Sequence, residues 1–161
     1  MKDVFTKIER GKRLKNSEHI SGAIPYVSSS GINNGVDDFV CNENAKYFEN
    51  CLTIANSGSV GSTFYQQYKF VGSDHITALK NDNFDKYIYL FFIPIISRLN
   101  KKYSFNREIN DVRIRKEKVL LPVNENDEID YNFMKDYSQY ILAKILKKYM
   151  EYINEKYNVK G

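Results

Sequence analysis

The stretch of residues 51–62 constrains the fold more than any other part of the chain, and its sequence is CLTIANSGSVGS. Its first part, Cys51–Ala55, is a largely apolar run that predicts a buried strand. The run ends in small polar residues and glycines at residues 56–62, a segment that we call the glycine corner. Glycine allows the backbone to adopt positive φ and to approach a neighbour closely. Because a second predicted strand follows at residues 63–65, the stretch predicts a tight hairpin in a β-rich domain.

A phosphate-binding loop, as in nucleotide-binding proteins, is the alternative interpretation of the glycine corner. That loop has the sequence GxxxxGK[ST], and Gly61 is followed by Ser62 instead of lysine. The sequence therefore argues against nucleotide binding at this turn. We expect Gly58 and Gly61 to shape the fold rather than to touch a ligand.

The composition is that of one globular body with a sizeable core, since 42% of the 161 residues are hydrophobic. The longest apolar run, residues 87–96, is about half as long as a membrane span requires. Residues 1–13 are rich in charge and do not follow the pattern of a signal peptide. Cys41 and Cys51 have neither CxxC spacing nor a nearby histidine, so we expect no metal site and a reduced, cytoplasmic protein.

The net charge of +4 hides a segregated distribution. Residues 7–15 carry a local charge of +4 and residues 98–118 one of +5, whereas residues 16–97 between them carry −4. Two separated basic clusters suggest one positive surface assembled from distant segments. Because a charge run is usually only a solvated face, this pattern alone is weak evidence for a nucleic-acid partner.

The rest of the pattern predicts further strands and two helices. Residues 84–99 predict a helix that is apolar around most of its circumference and therefore buried against the sheet, with Asp82 or Asn83 as its cap. A short helix is predicted at residues 110–115, and residues 42–50 read as a polar connection. The predicted strands are residues 23–27, 36–41, 68–71, 73–79 and 119–123, with a strand or a short helix at residues 4–8.

Two loops carry the side chains that suit nucleic-acid binding. Residues 28–35, SSSGINNG, form a segment that we call the serine–asparagine loop, and its hydroxyls and amides can both donate and accept hydrogen bonds. Residues 100–107, NKKYSFNR, form the cationic loop, in which lysines and arginine alternate with aromatic residues. Cations neutralise phosphates, Asn and Arg pair with base edges, and aromatic rings stack on bases. A plain surface loop remains the alternative for residues 28–35.

A long helix is predicted from Tyr131 onwards, after an acidic break at residues 125–130. Its apolar positions 142, 146, 149 and 153 follow a heptad spacing, and at about 1.5 Å per residue the helix would extend close to 40 Å. We expect an association surface on this helix, the alternative being a cover for the core. Its predicted partner or dimer residues are Ile141, Leu142, Ile145, Leu146, Tyr149 and Ile153.

No enzyme signature is found in the sequence, and no catalytic residue is predicted. None of the 20 acidic residues is followed two positions later by lysine, as in many metal-dependent nucleases. GxSxG and HExxH are absent, and His19 and His75 are the only histidines. We expect His75 to be a structural histidine, and we predict neither a cofactor nor a metal.

At this point the motifs resemble a known family. In chain order the matching segments are RGKR (10–13), IPYVSS (24–29), NNGV (33–36), residues 51–61, YKFVGSD (68–74), KYSF (102–105) with Arg107, and LLPV (120–123). Together they are similar to the target recognition domain of specificity subunits in type I restriction–modification systems. The same kind of domain is found at the C-terminus of fused type II restriction–methyltransferase enzymes. The resemblance covers nearly the whole chain.

The resemblance implies an α/β (α+β) fold in which a curved mixed or antiparallel sheet with packed helices docks into the DNA major groove. It also implies a coiled-coil-type C-terminal helix that binds a DNA methyltransferase subunit, with a restriction subunit as a further candidate partner. We accordingly expect a target recognition domain at residues 1–126 and a spacer or dimerisation helix at residues 127–161. Complete specificity subunits resemble two such units in tandem. A homodimerising half-subunit, a domain of a longer chain and a piece of a fused enzyme all remain open.

Carried over to this sequence, the resemblance predicts contacts with double-stranded DNA from three segments. The predicted DNA-binding residues are Lys12, Arg13, Ser28, Ser29, Ser30, Asn33, Asn34, Lys101, Lys102, Tyr103, Ser104, Asn106 and Arg107. The function expected is sequence recognition by a non-catalytic domain that directs a methyltransferase or restriction complex. The alternative class is a protein–protein interaction module, an assembly adaptor or an antirestriction decoy, acting through the C-terminal helix.

Overall fold

The computed structural model describes residues 1–104 and 106–157. The chain divides into two compact units, one up to Leu120 and one from Leu121 onwards. The boundary predicted between residues 126 and 127 falls within the second unit and remains a prediction.

The first unit is built on two four-stranded sheets. Its strands, in the described residues, are β1 (Lys7–Arg10), β2 (Ser21–Val27), β3 (Val36–Val40), β4 (Tyr47–Phe48), β5 (Cys51–Ala55), β6 (Thr63–Gln66), β7 (Phe70–Gly72) and β8 (Ile76–Lys80). The first sheet is antiparallel with the order β1-β8-β5-β6. The second has the order β3-β2-β7-β4 and is mixed, because β2 and β7 run parallel. A mixed α/β fold was therefore predicted correctly, but its strands form two sheets rather than one.

Pro25 illustrates how the sequence fits the second sheet. Pro25 pairs with Phe39 of β3 on one side of β2. On the other side, the parallel strand β7 pairs with β2 only at Tyr26 and Val27. Proline cannot donate a ladder hydrogen bond, so it is tolerated at a point where one edge of the strand is unpaired.

The core is formed by buried residues of both sheets and by the helix that packs against the first sheet. Val27 and Phe70 of the second sheet pack with Cys51, Ile76 and Ala78 of the first, and all five are buried. Helix α1 (Lys86–Ser97) packs against β5 and β6. Phe92 of α1 contacts Phe5 edge-on, with the ring centroids 5.1 Å apart. Val27 is the last residue of β2, so its packing fixes the strand end from which residues 28–35 emerge.

Two further α-helices are present in the described residues, together with short 3-10 helices at Asn16–Glu18, Asn33–Gly35 and Arg98–Lys101. Helix α2 (Asp111–Lys116) begins at Asn110, whose side chain accepts a hydrogen bond from the Arg113 amide, as expected for a helix cap. Helix α3 (Tyr131–Tyr157) belongs to the second unit. No helix of the described residues is long and apolar enough to span a membrane.

Three predictions of local structure were wrong. Residues 119–123 form no strand, since only an isolated bridge joins Val123 to Ile129 and Leu120 is 96% exposed. Strand β4 lies within the predicted polar connection, where two residues are too few to give a strand pattern. Helix α1 is capped by Asp85 instead of Asp82 or Asn83, because the Asp85 carboxylate accepts hydrogen bonds from two amides of the first turn.

Candidate nucleic-acid interface

The glycine corner closes the hairpin between β5 and β6 as predicted. The Ala55 amide donates to the Ser62 carbonyl and the Gly61 amide donates to the Ala55 carbonyl, both at 2.9 Å. Gly58 and Gly61 have φ of +56° and +87°, a region that residues with a side chain rarely adopt. The turn therefore depends on both glycines.

One side of the glycine corner contacts the serine–asparagine loop. The Ser59 amide donates to the Ser29 carbonyl at 3.1 Å. A Cβ atom on Gly58 would lie 2.7 Å from the Ser29 hydroxyl, and one on Gly31 would lie 3.0 Å from the Ser59 hydroxyl. Small residues on both partners thus allow the two segments to pack backbone to backbone.

The glycine corner also contacts the cationic loop and the residues that follow it. A Cβ atom on Gly61 would come within 2.9 Å of the Asn100 main-chain nitrogen. The Ile109 amide donates to the Asn56 carbonyl at 3.2 Å. The corner therefore brings together the two loops that the sequence predicted to bind DNA, although they are far apart in the chain.

The serine–asparagine loop has a strained backbone. Asn33, Asn34 and Gly35 adopt φ of 51°, 57° and 77° in succession. Asparagine tolerates this left-handed region better than most residues, and such strain commonly marks functional loops. Gly31, Ile32, Asn33 and Asn34 are exposed, whereas Ser28, Ser29 and Ser30 are half-buried.

The three predicted serines support this loop by different contacts. The Ser28 hydroxyl lies 3.4 Å from the hydroxyl of Ser73, which donates to it. Ser30 accepts a hydrogen bond from the Ile32 amide at 3.2 Å and donates to the Ile32 carbonyl at 3.3 Å. The exposed amide side chains of the loop are therefore presented by a base of bonded serines.

Gln66 is a buried residue that the sequence analysis did not single out. Its amide nitrogen donates to the Asn34 carbonyl at 2.8 Å and to the Thr53 hydroxyl at 3.2 Å. Its amide oxygen accepts a hydrogen bond from the Asn34 side chain at 3.1 Å. Gln66 thus anchors Asn34 by main chain and side chain together. It could not have been found from the sequence, because its pairing crosses between β6 and a distant loop.

The cationic loop ends in a narrow turn. Ser104 and Arg107 exchange main-chain hydrogen bonds, at 3.2 and 2.9 Å. The predicted residues Lys101, Ser104, Asn106 and Arg107 are exposed. Phe105, part of the aromatic pattern that motivated the prediction, lies outside the described residues.

Lys102 and Tyr103 make contacts within the domain, although Lys102 is exposed, and their DNA contacts remain predictions. Lys102 forms an ion pair with Glu117 at 2.7 Å, and the Tyr103 hydroxyl donates to the same carboxylate. Tyr103 is only 4% exposed, so its buried ring supports the loop instead of offering a face for base stacking. The physical reason is Glu117, a buried carboxylate that needs both donors.

The pKa shifts of this cluster agree with its geometry. Burial, followed by the hydrogen bond to Glu117, raises the pKa of Tyr103 to about 12. Burial also acts to raise the pKa of Glu117, but the hydrogen bonds from Lys102 and Tyr103 outweigh it. The pKa of Glu117 is therefore held below its ordinary value, and the carboxylate stays charged.

Lys12 and Arg13, the predicted phosphate contacts, are both exposed. The Lys12 amide donates to the Gly72 carbonyl at 2.9 Å, and the next residue, Ser73, donates its amide to the Val27 carbonyl at 3.0 Å. Gly72 and Ser73 thus link the main chain of Lys12 to Val27, the last residue of β2. The serine–asparagine loop begins directly after Val27.

His75, which was predicted to be a structural histidine, contacts the glycine corner. Its Nδ1 atom lies 2.7 Å from the Ser57 hydroxyl, and its carbonyl accepts a hydrogen bond from the Asn56 amide. The imidazole side chain is nevertheless 48% exposed. In residues 1–104 and 106–157, no group of three or more His, Cys, Asp or Glu residues could hold a metal ion.

Helix α3 carries the predicted association residues. Ile145, Leu146 and Tyr149 are exposed by 58%, 53% and 58%, and Ile141, Leu142 and Ile153 are half-buried. Lys144, Lys147 and Lys148 are exposed as well. By the helical period, these lysines lie on the face opposite to the stripe of Leu142, Leu146, Tyr149 and Ile153.

Comparison with known sequences identifies the family. Residues 1–157 match the family described as type I restriction modification DNA specificity domain. The chain belongs to this family. The resemblance drawn from the sequence motifs is thereby confirmed. We call the chain the specificity domain, since its family consists of specificity components rather than catalytic ones.

A curated relative and several solved structures extend this finding. The specificity domain is 31% identical over 153 residues to the type II restriction enzyme BgcI specificity subunit S.BcgI of Heyndrickxia coagulans. The matched region covers 94% of this chain and 45% of that protein. The chain thus spans less than half of that relative's length.

The solved structures show the same fold at low sequence identity. The S subunit of a type I restriction-modification system from M. genitalium matches with a TM-score of 0.59 and 20% identity, over 92% of this chain and 38% of that one. The HsdS subunit of Thermoanaerobacter tengcongensis matches with a TM-score of 0.61 and 13% identity, over 88% and 36%. A chain from a study of type I R-M assembly gives a TM-score of 0.65 and 15% identity, over 93% and 40%.

Proposed function

We propose that this specificity domain recognises a sequence in double-stranded DNA and directs a methyltransferase or restriction complex to it. One observation carries the proposal: the glycine corner contacts both predicted DNA-binding loops, the serine–asparagine loop at Ser29 and the cationic loop at Asn100. A fold of the DNA specificity family thus packs a loop rich in amides and a loop rich in cations onto one turn.

The side chains of this surface suit different parts of a DNA duplex. Asn33 and Asn106 carry amides that match the edge of adenine, and Arg107 carries a guanidinium that matches guanine. Asn34 donates one of its two amide hydrogens to Gln66, which leaves the other for a base. The exposed cations Lys12, Arg13 and Lys101 suit phosphate contacts, which position a protein without reading sequence. We assign Lys102, Tyr103, Ser28 and Ser30 a supporting role, because their side chains are bonded within the domain. Ser29 has the same role, because its carbonyl accepts a hydrogen bond from the Ser59 amide.

We further propose that α3 is the surface for assembly. Its apolar stripe fits a coiled-coil-type contact with a methyltransferase subunit, a restriction subunit or a second copy of this chain. A helix of 27 residues is about 40 Å long, which is sufficient for such a contact. The domain-and-spacer division at residues 126 and 127 belongs to the same proposal.

The experiment is selection of bound duplexes from a randomised DNA pool at two salt concentrations, with and without a methyltransferase partner. We expect enrichment of a short motif and binding that weakens steeply as salt rises, because phosphate contacts release counterions. Enrichment only in the presence of the partner would still support the proposal and would show that the complex is needed for affinity. No enrichment in either arm would contradict DNA recognition and favour an interaction module acting through α3.

A further inference from the structure

Ile32 is an apolar side chain at the tip of an otherwise polar loop. It is 70% exposed, and its neighbours Gly31, Asn33 and Asn34 are exposed as well. Single exposed apolar residues are common on protein surfaces, and exposure alone has no functional meaning. Ile32 differs from such residues because of the way in which the loop holds it.

The backbone on both sides of Ile32 is fixed. Ser30 bonds both the amide and the carbonyl of Ile32, which closes a tight local turn. On the other side, the left-handed residues Asn33 and Asn34 follow, and buried Gln66 anchors Asn34 by two hydrogen bonds. A loop that is strained and bonded in this way cannot easily fold the isoleucine back into the core.

The surroundings of Ile32 indicate what it could contact. The flanking amides of Asn33 and Asn34 are of the kind that pairs with base edges, so Ile32 projects from the part of the loop that suits the major groove. The prominent apolar group on the base edges of that groove is the C5 methyl of thymine. An isoleucine followed by two amide side chains is chemically complementary to such an edge.

We propose that Ile32 contacts the methyl group of a thymine and makes that base pair part of the recognised sequence. This inference rests on the proposed function, since it requires that the serine–asparagine loop meets DNA. It adds a residue that the DNA-contact predictions did not include and assigns it a base.

The test uses the motif selected by the full chain and replaces each thymine in turn by uracil, which lacks only the methyl group. Binding is measured for the wild type, for Ile32→Ala and for Ile20→Ala, a control isoleucine that is 57% exposed outside the loop. We expect uracil at one position to weaken wild-type binding about fourfold, the factor that one buried methyl group contributes. Ile32→Ala should lose sensitivity at that position alone, and Ile20→Ala should behave as wild type.

Two results would overturn the inference while leaving the proposed function intact. In the first, a motif is selected but no thymine-to-uracil change depends on Ile32. In the second, the motif contains no thymine. If the wild type selects no motif, the proposed function fails and the inference fails with it. Thermal unfolding of both variants shows whether they are folded, and the uracil scan of the wild type needs no variant.

Discussion

Gly61 lies so close to Asn100 that a Cβ atom on the glycine would come within 2.9 Å of the Asn100 main-chain nitrogen. This contact joins the hairpin of β5 and β6 to the start of the cationic loop. Since Gly61 also has a φ of +87°, we expect Gly61→Ala to lower the free energy of unfolding by about 1–3 kcal/mol. Urea denaturation measures the change. Gly31→Ala is the control, because a Cβ atom there meets only serine side chains, so an equal loss in both variants would contradict this role of Gly61.

A second prediction concerns Gln66. Removal of its amide in Gln66→Ala leaves the Asn34 carbonyl without its buried donor, and a buried group left unpaired costs about 1–3 kcal/mol. We expect the variant to be less stable and to show a relaxed base preference at the positions that Asn34 reads. Selection from a random pool measures the preference. Gln67→Ala is the control, since Gln67 is exposed, and a full wild-type motif for folded Gln66→Ala would argue against the anchoring role.

A third prediction follows from the depressed pKa of Glu117. A carboxyl group whose pKa is lowered on folding contributes stability above its unfolded pKa, and this contribution is lost as the pH falls through the folded value. For Glu117 the loss should therefore occur below its ordinary value of 4.5.

The variant Glu117→Gln should remove this acid-side loss and should cost about 1.5–3 kcal/mol at neutral pH, as expected for hydrogen bonds to a charged group. Urea denaturation across a pH series measures both effects. Glu125→Gln, at an exposed position, is the control and should leave the profile unchanged. An unaltered profile for Glu117→Gln would show that the ion pair with Lys102 does not stabilise the loop.

A fourth prediction separates phosphate contacts from base contacts. Lys12→Ala and Arg13→Ala should weaken binding to all sequences alike and reduce the salt slope by about one each. Asn106→Ala and Arg107→Ala should instead relax preference at single positions, at a cost of about 1–3 kcal/mol. Titrations of a selected and a scrambled duplex at several salt concentrations distinguish the two classes. Unchanged affinity and preference for both Asn106→Ala and Arg107→Ala would remove the cationic loop from the interface.

A fifth prediction concerns self-association through α3. Leu146→Lys places a charge in the middle of the apolar stripe, and we expect it to abolish a dimer that forms at tens of micromolar. Light scattering measures the mass. Lys147→Ala lies on the opposite face and should leave the mass unchanged. A monomeric wild type, or a variant with the mass of the wild-type dimer, would contradict the dimer.

The sequence predicted those parts of the structure that depend on local pattern. The hairpin that begins with Cys51–Ala55, the short helix near residues 110–115 and the long helix from Tyr131 are all present, because apolar runs, glycine turns and helical periods act over short distances. The division of the strands into two sheets was not predicted. It depends on pairings such as β1 with β8 and β2 with β7, which join segments far apart in the chain.

The candidate site shows the same limit. Residue types led to the prediction of two DNA-binding loops, but they did not separate exposed Arg107 from buried Tyr103 within one of them. That difference is set by Glu117, which lies beyond the loop and takes up two of its side chains. Gln66 was missed for a similar reason, since its amide is paired across the fold.

The central claim is that the two loops joined by the glycine corner read one stretch of DNA together. The most direct measurement is selection from a randomised pool with the wild type, Asn34→Ala and Arg107→Ala under identical conditions. We predict that each variant relaxes preference at a different position within one continuous motif, because both loops contact the same glycine corner. Wild-type motifs from both folded variants would contradict this account.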